Sequence, residues 1–249
     1  LSDIDKMMSA LEDNIIPLFE NINMTDIRTM KNARAIMLPY SDDVLDTKKI
    51  IKDENENQIV IIRIQATPDV SKQIVTLTKN GAEVIHIVFN IHGLESSTPN
   101  PRHIRDVLRD IHTSLVKEGI RDQVTITASG GIAMAEHMPK AIICGADLVA
   151  INLPLLIALE CRLCLECKRG ENCQIDLDSI QTDYAVNRIS NLICAWRNQM
   201  LELLGAMGIR EVRRLRGETG RCMFFEDLEK EAFGKFFGKR KEYMEGVKK

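Results

Sequence analysis

Residues 59 to 64 read IVIIRI, and no other stretch limits the possible folds so tightly. A nearly unbroken apolar run rich in β-branched side chains is the mark of a strand covered on both faces, as in a parallel sheet. The polar stretch Lys52 to Gln58 (KDENENQ) precedes it as a loop without core-forming residues. After it, Val70, Ile74 and Leu77 recur at helical spacing and Gly81 supplies a stop. The pattern then repeats. Val84 to Ile91 (VIHIVFNI) is strand-like, and the turn-forming residues Ser96 to Pro101 follow. Ile104, Val107, Leu108, Ile111 and Leu115 then make one helical stripe ending at Gly119. A third strand, Val124 to Ala128, closes on Ser129-Gly130-Gly131, and a helix from Met134 to Cys144 leads to a strand at Leu148 to Ile151.

Strands alternating with helices at this rhythm imply right-handed crossovers and a parallel sheet, either doubly wound or a (β/α)8 barrel. A chain of 249 residues suits a whole barrel. The strand count does not, because only one further candidate exists, Ala35 to Leu38, and the first 30 residues read as helical. From Leu177 the pattern is helical again, with Ala185, Ile189, Leu192, Trp196, Met200, Leu203 and Met207 stepping by three and four up to Gly208. If the sheet is a barrel, the chain holds mainly its second half, and the expected fold is then α/β, a partial TIM-type barrel with a cysteine-rich loop and a C-terminal helical extension. Its expected parts are an N-terminal helical or partial-barrel segment at 1–57, a half-barrel at 58–160, a cluster loop at 161–175 and the extension at 176–249. The open edge of such a sheet requires a missing segment or a partner subunit, since unpaired backbone groups at a buried edge are costly. The chain begins at Leu1 rather than Met, which fits a processed or partial piece.

Composition removes several function classes. With 33 Lys+Arg against 36 Asp+Glu the net charge is −3, which disfavours nucleic acid as a partner. The Arg-rich segment from Arg210 to Arg221 is interleaved with Glu211 and Glu218 and lacks stacking aromatics, so a solvated or interdomain face is expected there. No apolar run reaches the ~18 residues of a spanning helix, and no signal-peptide pattern opens the chain. The expected location is cytoplasmic.

Four of the seven cysteines crowd into CRLCLECKRGENC, where Cys161, Cys164, Cys167 and Cys173 are spaced x2, x2 and x5. Successive three-residue steps let one loop present its sulfurs to separate corners of a compact cluster, as in ferredoxin-type runs. The last gap is longer than in those runs, and Gln174 stands where they have Pro. Structural zinc, which prefers two knuckles set farther apart, and a redox dithiol are the alternatives. Cys144, Cys194 and Cys222 lie on apolar or helical faces and are expected to be buried small hydrophobes. His86, on an apolar strand, is expected to be a hydrogen-bonded core residue.

Ser129-Gly130-Gly131-Ile132 lies where a strand ends and a helix follows. Paired glycines there either cradle an anion with their amides or serve a purely steric need. In barrels the phosphate site usually comes from the last two strand-to-helix loops, which would set Ser129, Gly130 and Gly131 beside Ile151 and Asn152.

The Gly-Gly turn, the stretch CGADLVAINLPLLIALEC, the cysteine-rich loop and the long helix together resemble the FMN-binding synthase domain of the glutamate synthase family. In that family the last strand runs into an apolar stretch ending Ala-Leu-Gly-Cys, and here Ala158-Leu159-Glu160-Cys161 takes that place. The family's three cysteines, which bind a 3Fe–4S cluster, map onto Cys161, Cys167 and Cys173. The extra Cys164 favours a 4Fe–4S cubane. The segment GIREVRRLRG at 208–217 is similar to the family's segment after the long helix. Arg63 stands where the family carries a lysine near the flavin, and Ile91 to Ser96 replace its glycine-rich DGGTGA loop.

The resemblance implies FMN and an iron–sulfur cluster as cofactors and an oxidoreductase that passes electrons between them, reducing 2-iminoglutarate to L-glutamate. It implies Arg63 at the N1 side of the flavin, Ser129, Gly130, Gly131, Ile151 and Asn152 near its phosphate, and His92 or His112 near a small-molecule substrate. The alternative is a non-catalytic iron–sulfur relay subunit that keeps the cluster and docks to a redox partner through the open sheet edge.

Overall fold

The computed structural model describes residues 16, 18, 33–164, 175 and 179–218. Its frame is a sheet of five parallel strands: β1 (Ala35–Pro39), β2 (Ile59–Gln65), β3 (Val84–Val88), β4 (Thr125–Ser129) and β5 (Leu148–Ala150). Their order across the sheet is the order along the chain. A doubly wound sheet would reverse at a switch point, so sequential order identifies an incomplete (β/α) barrel. The five expected strands are all present, four of them within one residue of their expected limits, while the strand expected to reach Ile91 ends at Val88.

Alternation along the strands separates two faces. Ile36, Leu38, Val60, Ile62, Ile64, Ile85, Ile87, Ile126 and Ala128 are all buried and form the core on one face. Buried stripes of α2 (Val70–Lys79) and α3 (Ile104–Lys117) complete it with Val70, Ile74, Leu77, Val107, Ile111 and Leu115. The other face is the concave inside of the barrel. The register sets its side chains in rows: Met37, Ile61, Val84 and Thr125, then Pro39, Arg63, His86, Thr127 and Leu148, then Gln65, Val88, Ser129 and Ala150. This inner face is incompletely covered, with Ile59 38% and Leu148 58% exposed. At the β1 edge a parallel bridge joins Leu18 to Met37.

Several elements depart from the expected limits. A helix α1 (Val44–Glu54) extends into the polar KDENENQ stretch, held by Val44 and Ile51 one heptad apart on its buried side. Gln58 within that stretch is buried, and its side-chain amide donates to the Ala33 carbonyl at 2.6 Å. The helix expected from Met134 begins only at His137 as α4 (His137–Ile143), because Pro139 suits the first turn alone. Short α5 (Leu153–Ala158) follows β5, and α6 (Thr182–Ala206) is the expected long helix.

Helix α6 covers less than its stripe predicts. Trp196 and Leu204 are buried, whereas Cys194, expected to be buried, is exposed together with Val186, Ile193 and Leu201. Trp196 and Leu204 stand on the side of the helix turned to its neighbours, and Cys194 stands off it. Cys144 is buried as expected, and Cys222 lies outside the described residues.

Below the N-terminal ends of β4 and β5 an ionic cluster holds the segment after α6. Arg121, almost fully buried, donates to the Val124 and Gly145 carbonyls and to Asp147, each at 2.8 Å. Arg216 donates to Asp147 at 2.6 Å and to Asp122 at 2.9 Å, and the Gly217 amide donates to the Ile143 carbonyl. Arg216, from the Arg-rich stretch, is thus tied into the barrel floor.

Candidate functional site

In (β/α) barrels the chemistry sits where the strands end and the loops begin. Here that end is polar. Arg63, His86 and Thr127 stand side by side in one row of the inner face, and Ser129 lies one row closer to the loops. His86 Nδ1 is 2.6 Å from Thr127 Oγ1, and its Nε2 is 3.0 Å from Ser129 Oγ. The imidazole is buried, and burial together with the nearby Arg63 cation pushes its pKa down to about 4. It is a neutral link between two hydroxyls. The expectation of a hydrogen-bonded His86 holds, and the residues it bonds belong to the site rather than to the apolar core.

The Gly-Gly turn is shaped by a close fit. A Cβ at Gly130 would lie 2.4 Å from the Phe89 carbonyl oxygen, and one at Gly131 would lie 2.4 Å from Gly93 Cα. Both residues also have positive φ, +100° and +70°. The loop after β3 therefore lies directly against the turn, which accounts sterically for both glycines. The turn also offers donors: the Gly130 amide continues the ladder toward Ala150, whereas the amides of Gly131 and Ile132 meet no acceptor among the described residues. Two adjacent amides of this kind are suited to an anion.

Ser129 pairs in register with Ala150, so the β4 turn and Ile151-Asn152 emerge side by side. Asn152 has a structural duty, since its Oδ1 accepts from the Leu153 amide at 2.7 Å as the N-cap of α5. Arg63 stands two strands away from Ser129, one row lower.

The loop after β3 is firmly built. Asn90 Oδ1 accepts from the amides of His92 and Leu94, and the Ser96 amide donates to the Ala66 carbonyl at the end of β2. Glu95 turns its carboxylate inward to Arg102, which donates through Nη2 at 2.6 Å, through Nε at 3.0 Å and through its backbone amide at 3.0 Å. Burial alone would raise the Glu95 pKa, but these bonds outweigh it and hold the carboxyl below its usual value. His92 is exposed on this loop. His112 is not at this end at all. It packs at the barrel floor, where Arg121 Nε donates to its Nδ1 at 3.3 Å and where Gly145 and Gly217 approach its ring. Helix α3 runs back toward the N-terminal ends of the strands, so a residue two turns along it cannot reach the loops.

The cysteine-rich segment leaves the same end of β5 through α5. The backbone is left-handed at Glu160 (φ +68°) and Leu163 (φ +54°), the residues immediately before Cys161 and Cys164. The sharp turn at Glu160 is what the glycine of Ala-Leu-Gly-Cys would provide without strain. Cys161 is half-buried and Cys164 exposed, both as free thiols, while Cys167 and Cys173 lie outside the described residues.

Residues 38–210 match the family described as conserved region in glutamate synthase. That is well over half of the chain. The chain belongs to the glutamate synthase family. It is 32% identical over 198 residues to the archaeal glutamate synthase [NADPH] of Archaeoglobus fulgidus, covering 72% of this chain and 38% of that protein. The corresponding protein of Methanocaldococcus jannaschii is 32% identical over 165 residues, covering 63% of this chain and 31% of that protein. The chain thus spans about a third of the length of these relatives. Among solved structures, a flavocytochrome b2 variant with sulfite bound superposes with a TM-score of 0.56 at 17% identity, covering 85% of this chain and 55% of that chain. This likeness confirms the partial barrel. No helix among the described residues is long and apolar enough to cross a membrane.

Proposed function

We propose that this chain is the FMN- and cluster-holding part of a glutamate synthase-type oxidoreductase, with 2-iminoglutarate reduced to L-glutamate as the reaction it serves. The observation that carries the proposal is one shared location. The amides of Gly131 and Ile132 and the start of the cysteine-rich segment follow the C-terminal ends of β4 and β5, and the polar row of Arg63, His86 and Thr127 lies beside them on the inner face of β2, β3 and β4. Family membership supports the same reading.

Ser129, Gly130 and Gly131, with Ile151 and Asn152 on the next strand, would hold the phosphate. Arg63 would lie under the isoalloxazine and favour negative charge at its N1 side, with a rigid fork in place of the family's lysine. Cys161, Cys164, Cys167 and Cys173 would ligate the iron, and four thiolates suit a 4Fe–4S cubane better than a 3Fe–4S cluster. When bound, FMN supplies hydride chemistry and the cluster supplies single electrons. A redox partner or subunit would cover the open sheet edge, and a cytoplasmic setting suits an unpaired, cysteine-rich metal loop.

A second reading has one specific observation in its favour. The loop that replaces DGGTGA is packed against the Gly-Gly turn and locked by Glu95 and Arg102, which narrows the space for a flavin. On this reading the chain is a cluster-only relay. Iron, sulfide, zinc and FMN are to be quantified on one anaerobically purified sample. About four iron, about four sulfide and about one FMN per chain support the enzyme. Cluster without flavin supports the relay, and zinc or no metal refutes both.

A further inference from the structure

We infer that His86 is a positioning residue that fixes the direction of the Ser129 hydroxyl, so that the β4 turn presents a third donor, beside the amides of Gly131 and Ile132, to an anionic group. This inference rests on the proposed anion site at that turn and goes beyond it by assigning a role to a residue one row below.

The argument is one of proton counting. A neutral imidazole carries one N–H, and His86 sits between two hydroxyls, Thr127 Oγ1 at 2.6 Å and Ser129 Oγ at 3.0 Å. Two arrangements satisfy both contacts. In the first, Thr127 donates to Nδ1, Nε2–H donates to Ser129, and the Ser129 hydroxyl proton is released toward the loops. In the second, every bond reverses, Ser129 donates to Nε2, and its oxygen turns lone pairs toward the loops. The amides of Gly131 and Ile132, two and three residues on from Ser129, belong to the same turn and meet no acceptor among the described residues. An anion there is bound by donors, so it selects the first arrangement and repels the second. Thr127 and Ser129 hold the ring from both sides, which prevents it from flipping out of the chain.

His86 is not interchangeable with an apolar residue on this account, although it lies in the apolar run VIHIVFNI. Leucine would leave Ser129 free to rotate. Glutamine can place an amide N–H close to where Nε2–H stands and would restore the direction of the chain.

The test uses the full chain with two probes, FMN and inorganic phosphate, and long-range 1H–15N spectra of the His86 ring. The expected result is a ring protonated at Nε2 in the probe-loaded protein, with affinity about tenfold weaker in His86→Leu and within about threefold of the original in His86→Gln. A ring protonated at Nδ1 in the loaded protein, or a His86→Leu variant that binds both probes unchanged, overturns the inference. Phosphate binding without FMN binding defeats the flavin reading alone, and the His86 assignment is then decided by the phosphate spectra. Binding of neither probe defeats both.

Discussion

Lowering the pH should destabilise this barrel through one imidazole, and the size of the effect follows from the inner-face geometry. His86 has an ordinary pKa of 6.5 when exposed and about 4 in the fold. Its folded pKa is depressed, so between those values the unfolded chain binds more protons than the native one, and stability falls as pH falls. The contribution is intact above pH 6.5 and shrinks progressively down to pH 4. The two pKa values give a loss of about 2 kcal/mol at pH 5 and about 3 kcal/mol at pH 4, relative to neutral pH. Urea unfolding followed by circular dichroism at pH 7.5 and pH 5, on the protein and on His86→Leu, isolates this term, because the carboxylates titrate alike in both. The unfolding free energy of the parent minus that of the variant should fall by about 2 kcal/mol over that interval, at constant m-value. A difference that stays flat across the interval would mean that His86 titrates normally, and the picture of a neutral ring clamped between Thr127 and Ser129 would be wrong.

Other perturbations test neighbouring parts. Gly130→Ala should cost about 2–4 kcal/mol, since its Cβ would lie 2.4 Å from the Phe89 carbonyl oxygen at φ +100°, and equilibrium unfolding would show it. Asp147→Asn should destabilise by about 3 kcal/mol, because it leaves buried Arg121 without its carboxylate and loosens Arg216; a loss under about 0.5 kcal/mol would contradict the clasp at the barrel floor. On the proposed cluster assignment, Cys164→Ser should leave the far-ultraviolet spectrum unchanged while lowering iron content or giving a three-iron form; full four-iron loading would remove Cys164 from the proposed ligand set.

Much of this architecture can be read from the residue order, for a physical reason. A strand covered on both faces has almost no freedom in side-chain type, so IVIIRI and VIHIV announce themselves, and the stripes of α2 and α3 follow the helical period because they face one sheet. Helix α1 buries only Val44 and Ile51 and helix α5 has only 6 residues, too little in each case to make a pattern. The apolar character of α6 suggests that Cys194 is inside, but burial depends on what lies opposite, and among the described residues little lies opposite that side. The site shows the same division. Arg63 and the Gly-Gly turn stand out by charge and by conformational demand, whereas the role of His86 depends on register between strands about 40 residues apart. The one local hint is parity: Arg63, His86, Thr127 and Ser129 all fall on the inner-facing positions of their strands. His112 misled because its place along α3 decides which end of the barrel it serves.

Helix α6 begins beside α5, where Tyr184 Oη donates to Glu160 Oε1 at 2.5 Å and Arg188 Nε donates to the Ala158 carbonyl at 2.9 Å. After it, Arg216 and Gly217 are fastened at the opposite end of the strands. At about 1.5 Å per residue, the 25 residues of α6 are long enough to run the height of the barrel. The described residues that flank the cysteine-rich stretch are therefore riveted to each other and to the barrel wall by contacts that use none of its cysteine side chains, so this anchorage does not depend on what those cysteines hold.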